Sequence, residues 1–85
     1  MAGSNKPYYD PAKFNKGALV HISGRSKLEE FLRTWQLHHK LEPGQLVYGG
    51  RQAVVKASYM YHGGDVLYEL EGVPGIWHEQ LLEPV

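Results

Sequence analysis

The sequence predicts a mainly β (α+β) domain, a small antiparallel barrel carrying one N-terminal amphipathic helix. Three observations carry that prediction. Residues 52–72, QAVVKASYMYHGGDVLYELEG, alternate apolar and polar side chains on both sides of Gly63-Gly64, the pattern of a β-hairpin. Leu28, Phe31, Leu32, Trp35 and His39 recur at the spacing of one helix face. Short apolar runs bounded by Gly and Pro flank both.

With 85 residues the chain holds one domain with a modest core. It has no cysteine, which excludes disulfides and thiolate metal sites. No run approaches the ~18 apolar residues of a membrane span. The N-terminal MAGSNKPYYD lacks the apolar centre of a signal peptide, so a cytoplasmic location is expected. Net charge is zero, with an uneven distribution. Residues 1–40 carry seven basic and three acidic side chains, and residues 41–85 carry two basic and six acidic. Such halves attract one another, within a domain or between copies. An excess this small and scattered disfavours nucleic acid as a partner.

Residues 1–16, with two prolines and no periodicity, read as a flexible or draped arm, with Tyr8, Tyr9 and Phe14 available to pack on the domain, which spans 17–85. Residues 17–22, GALVHI, predict a strand with His21 facing solvent. Ser26 followed by Glu29 has the form of a capping box, predicting a helix over about 27–40 that stops before Pro43. Glu29 and Glu30 then suit its first turn, and His38, His39 and Lys40 its last. Trp35 on the apolar stripe is expected to anchor the helix to the sheet. Pro43-Gly44 makes a turn, Gln45 to Tyr48 a short strand, and Gly49-Gly50 a second turn, opening a barrel over about 44–85.

Centring a type I′ turn on Gly63-Gly64 sets the hairpin register. Tyr61 then faces Val66, Met60 faces Leu67, Tyr59 faces Tyr68, Lys56 faces Glu71 and His62 faces Asp65. Val55, Ala57, Tyr59, Tyr61, Val66, Tyr68 and Leu70 share the apolar face. Beyond it, Gly72-Val73-Pro74-Gly75 predicts a type II turn. Ile76-Trp77-His78 predicts a short strand, residues 79–82 a single helical turn, and residues 83–85 a last edge strand.

This order of elements, and the closing GIWHEQLLEPV, resembles an SH3-like small barrel over about residues 41–85. The Tyr-His-Gly-Gly-Asp tip and the Gly-Val-Pro-Gly-Ile-Trp-His-Glu run also resemble small uncharacterised bacterial proteins. The resemblance implies binding of peptides or other linear partners through an aromatic groove.

Five histidines raise the question of a metal, but no pair has the spacing of ligands on one helix face. Glycine pairs at 49–50 and 63–64 lack the phosphate-loop pattern, and linear order discloses no nucleophile–base grouping. No cofactor and no catalytic residue is assigned. The leading expectation is a non-catalytic interaction module that binds a protein partner or itself. Trp77, His78, Glu79, His62, Asp65 and Tyr48 are its candidate binding residues, with Trp77 as a partly exposed platform. Two alternatives stand beside it. One is a small-molecule or enzymatic site at a homo-oligomer interface, with His62, Asp65 and His78 supplying polar groups. The other is nucleic-acid binding through the basic helix.

Overall fold

The computed structural model describes residues 12–85, so the expected packing of Tyr8 and Tyr9 falls outside the described residues. Strand β1 (Leu19–Ile22) leads into helix α1 (Arg25–Thr34) and, after an irregular segment, a 3₁₀ stretch over Pro43–Tyr48. Strand β2 (Gln52–Met60), a 3₁₀ turn at His62–Gly64, β3 (Val66–Leu70) and β4 (Val73–His78) form a meander. A 3₁₀ turn at Glu79–Leu81 feeds β5 (Leu82–Pro84). The strands form one five-stranded antiparallel sheet in the order β4-β3-β2-β1-β5. No ladder joins the outer strands β4 and β5 among the described residues. None of these residues forms a helix long and apolar enough to cross a membrane.

The core follows from the alternation of the strands. Val20 and Ile22 of β1, Val55 of β2, Tyr68 of β3 and Trp77 of β4 are fully buried, and Leu28 of α1 and Leu81 join them. Phe14 also enters this core, so residues just ahead of β1 form part of the fold rather than a surface drape. His21 points out of the core side, as the β1 alternation requires.

Several expected elements are corrected. The helix begins at Arg25, with Gly24 as its extended N-cap and no side-chain cap bond. Ser26 therefore lies inside the first turn, and Glu29 pairs with Arg25 at 3.0 Å instead of closing a capping box. The helix ends at Thr34 and does not run to Lys40. Trp35 leaves the helical path because its indole N–H donates to the carbonyl of His38 at 2.7 Å, and His39 takes a left-handed backbone (φ 50°). Tertiary contacts thus override a helical periodicity that the sequence carries as far as His39.

Residues 45–48 are 3₁₀ rather than strand. Pro43 sits in the first turn of that stretch, and the buried Gln45 carboxamide oxygen accepts the Glu42 N–H at 2.8 Å. The main hairpin is one residue out of the expected register. Met60 faces Val66, Tyr59 faces Leu67, Ser58 faces Tyr68 and Ala57 faces Glu69. The tip is a 3₁₀ turn, closed by Tyr61 N–H donating to Asp65 O at 2.8 Å, and Gly64 takes φ 94°. A bulge between Val55 and Ala57 shifts the pairing by a further residue and sets Val55 opposite Leu70, where Ala57 was expected. In consequence Tyr59 is turned out to solvent, where its hydroxyl donates to Glu69 at 2.9 Å, and Lys56 does not face Glu71.

The β3–β4 turn also moves. It centres on Glu71-Gly72, with Gly72 at φ 71°, while Pro74 and Gly75 lie within β4 as an irregularity of the ladder. The single helical turn at residues 79–81 and the closing edge strand stand as the sequence predicts, with the strand beginning at Leu82.

Candidate functional site

The fold brings the hairpin tip and the end of β4 together through a segment that the sequence assigned to the helix. His78, buried on β4, packs its ring against Phe31 and Trp35 of the helix end, with centroids 4.9 and 4.8 Å apart. Phe31 and Trp35 stack on each other at 5.2 Å. The His78 Nε2 lies 2.9 Å from the carbonyl oxygen of His39. A carbonyl only accepts, so Nε2 carries the proton and donates. Burial lowers the pKa of His78 below the ordinary imidazole value, the neighbouring His38 and His39 add to that effect, and the bond to the His39 carbonyl and the Asp65 carboxylate oppose it.

His38 lies between this layer and the tip. Its ring stacks on Tyr61 at 3.9 Å and meets Trp35 edge-on at 5.5 Å. Its Nε2 is 2.9 Å from Asp65 Oδ2 but makes no hydrogen bond there. His39 and His62 each meet Tyr61 edge-on, at 5.2 and 5.3 Å. Four histidines, three other aromatics and one carboxylate thus form one cluster. No group of three metal-ligating side chains among the described residues is arranged to hold an ion.

The expected site residues divide. His62, exposed, and Asp65, partly exposed, stand at the tip; His78 lines a cleft with Asp65 and is linked to His62 through His38 and Tyr61. Trp77 is not a platform: it is fully buried, pairs with Tyr68 in the ladder, and its indole N–H donates to Pro74 O at 3.3 Å. Adjacent strand residues face opposite ways, and this end of β4 is covered on both faces, with Trp77 in the core and His78 under Phe31 and Trp35. His78 is buried as well, so it does not present its ring to a partner at a rim. Glu79 is occupied within the fold, where its carboxylate accepts the Tyr68 hydroxyl and, at 2.9 Å, the Lys13 N–H.

Tyr48 lies apart from this cluster, in a second feature. The 3₁₀ stretch and the irregular part of β4 enclose a cleft of about 320 Å³ lined by Glu42, Gly44, Gln45, Tyr48, Pro74 and Gly75. The two walls are held in place by Gln45, whose Nε2 donates to Ile76 O at 3.2 Å, and by Gly75, which approaches the Gln45 side chain so closely that a Cβ would fall 2.6 Å from Nε2. Gly75 sits at φ 97°, open to glycine at no steric cost. The cleft is mainly apolar, since the Gln45 amide is used internally on both sides. Val47 stands exposed beside it, and the Arg51 guanidinium lies 5.2 Å from the Tyr48 ring.

Sequence reasoning missed Trp35, His38, His39 and Tyr61 as one layer, because helical spacing claimed three of them and the hairpin register claimed the fourth. The adjacent His38-His39 pair ahead of Pro43 was the available sign of a break in the helix. Comparison with protein-family models, with curated proteins and with solved structures finds no match for this chain.

Proposed function

We propose that this chain is a small, non-catalytic, SH3-like interaction module that takes an extended apolar segment of a protein partner in the Tyr48–Pro74 cleft. The observation that carries this reading is the cleft itself: a mainly apolar hollow between a 3₁₀ stretch and a strand irregularity, with an aromatic ring on one wall and a proline on the other. Apolar clefts of this kind accommodate the side chains of an extended chain. The internal use of the Gln45 amide leaves few polar groups for orienting a small polar substrate. The strand order β4-β3-β2-β1-β5, a β2 that pairs with β1 at one end and β3 at the other, and a 3₁₀ turn before the last strand support the SH3-like reading. Arg25 on the helix is engaged with Glu29, which lends no support to a nucleic-acid surface there.

The test is selection of peptides from a displayed random library on the immobilised protein, followed by affinity measurement on variants. Tyr48→Ala is expected to weaken the selected peptides by about 2 kcal/mol, roughly thirty-fold, as loss of a central aromatic contact does. Tyr59→Ala, an exposed aromatic outside the cleft, should leave affinity unchanged. A folded Tyr48→Ala protein that binds as the parent does would refute the reading, and so would affinity lost with Tyr59 instead.

A further inference from the structure

We propose that residues 35–41 form an imidazole-held clasp that opens in mild acid while the sheet stays folded. The segment crosses from the end of α1 to the 3₁₀ stretch; two contacts fasten it to the sheet and the hairpin tip, and a third ties it internally. His78 Nε2–H donates to His39 O, His38 stacks on Tyr61 and faces Asp65, and the Trp35 indole N–H donates to His38 O. The His78 ring, which makes the first of these contacts, is titratable and buried.

The charges around His78 decide the direction. From the clasp it faces the imidazoles of His38 and His39; from the tip it faces Asp65, with His62 beyond Tyr61. From α1 it meets only the uncharged rings of Phe31 and Trp35, and Lys27 and Glu30 line a separate cleft with Phe31 and Gln80. The neighbouring Glu79 carboxylate is turned to Tyr68 and the Lys13 backbone. One carboxylate, partly exposed, therefore stands against up to four imidazoles. A proton on His78 places a charge beside these rings in a layer where it has almost no access to water.

The sign of the effect is fixed by which state binds the proton better. Closed, His78 is held below the ordinary imidazole value, and open, it returns to about 6.5. Closure is at full strength above about pH 6.5. It weakens as the pH falls toward the closed-state value, by at most about tenfold per pH unit for this one ring. The loss is confined to the segment, because no strand ladder includes residues 35–40, and Leu41, buried in the core, holds its far end.

The two tryptophans report the two parts separately. The Trp35 indole N–H is bonded within the clasp, and that of Trp77 is bonded to Pro74 within the sheet. Their ¹H–¹⁵N signals are to be followed from about pH 8 to about pH 5 on the full chain. The expected result is that the Trp35 signal moves to the position of a free indole below about pH 6.5 while the Trp77 signal stays. Asp65→Asn, which removes the counter-ion, should move the Trp35 midpoint to higher pH. His78→Gln, which keeps a donor without a titration, should hold the Trp35 signal nearly constant. The proposal is overturned if the Trp35 signal is unmoved at about pH 5, if both indoles move together, or if Asp65→Asn leaves the midpoint in place. The wild-type and Asp65→Asn titrations decide the matter even if His78→Gln does not fold.

Discussion

Single residues carry much of the specification of this fold, and Gly49 shows how. A Cβ at that position would lie 2.7 Å from the Arg25 backbone nitrogen and 2.9 Å from its Cα, nearer than real side chains approach. The end of the 3₁₀ stretch is thereby seated against the start of α1, and Gly50 N–H completes the contact by donating to Ile22 O and Ser23 O, both at 3.0 Å. Gly49→Ala is expected to destabilise by about 1–3 kcal/mol, since backbone, not a flexible side chain, must move. For a domain of this size that lowers the melting temperature by roughly 4–8 °C per kcal/mol. Gly44→Ala, with nothing within 4 Å of its Cβ, is the control and should melt within a degree or two of the parent, about ±0.5 kcal/mol. Equal melting of the two variants would remove the argument from close approach.

Elements are joined here by side chains that reach across long stretches of sequence. The Tyr68 hydroxyl on β3 accepts the N–H groups of Lys13 and Phe14 at 3.1 and 3.2 Å and donates to Glu79. One phenol thus fastens the stretch ahead of β1 to the turn before β5. Tyr68→Phe is expected to cost about 1–3 kcal/mol, because it strips a partner from a carboxylate and two amides. Hydrogen exchange should show faster loss at the Lys13 and Phe14 amides while the Val55 amide, bonded to Ala18 O at 2.8 Å, keeps its protection. Unchanged exchange at residues 13 and 14 would mean that Phe14 burial alone holds the stretch. None of this was legible in the sequence, since a tyrosine in an apolar strand discloses its burial and not the partner of its hydroxyl. The strands themselves were legible, because alternation writes β1 and β3 directly, and so was the turn before β5. The hairpin register was not: a five-residue tip displaces it by one step and a bulge at Lys56 by another, and both are backbone choices that Gly63-Gly64 alone does not dictate. The candidate site divides in the same way. Tyr48, His62 and Asp65 were named, but the cleft around Tyr48 needs Gln45 and Gly75 from separate elements, and the histidine layer needs a helix that ends earlier than its periodicity.

At the scale of the whole molecule, the same Tyr68 sets an alkaline limit. Burial, with the bond to Glu79, pushes its pKa up from 10 to about 12. A raised folded-state value means that its contribution to stability is complete below about pH 10 and is lost as the pH climbs through about 12. Urea midpoints should therefore hold level through neutral pH and fall above about pH 10 in the parent, with a flatter alkaline limb in Tyr68→Phe. Limbs of equal slope in the two proteins would assign the fall to other groups.

The strand order has a consequence for how the chain is made. The β2-β3-β4 meander pairs neighbours in sequence and can form as soon as those residues are free to fold. Strand β1 is different: one of its edges waits for β5, with Ile22 set against Leu82. During synthesis β1 must therefore remain half-paired until β5 follows it. Through that interval Val20 and Ile22 have no completed core to enter, and slowing translation before Leu82–Pro84 emerge lengthens the time during which this nascent chain presents an open strand edge to its surroundings.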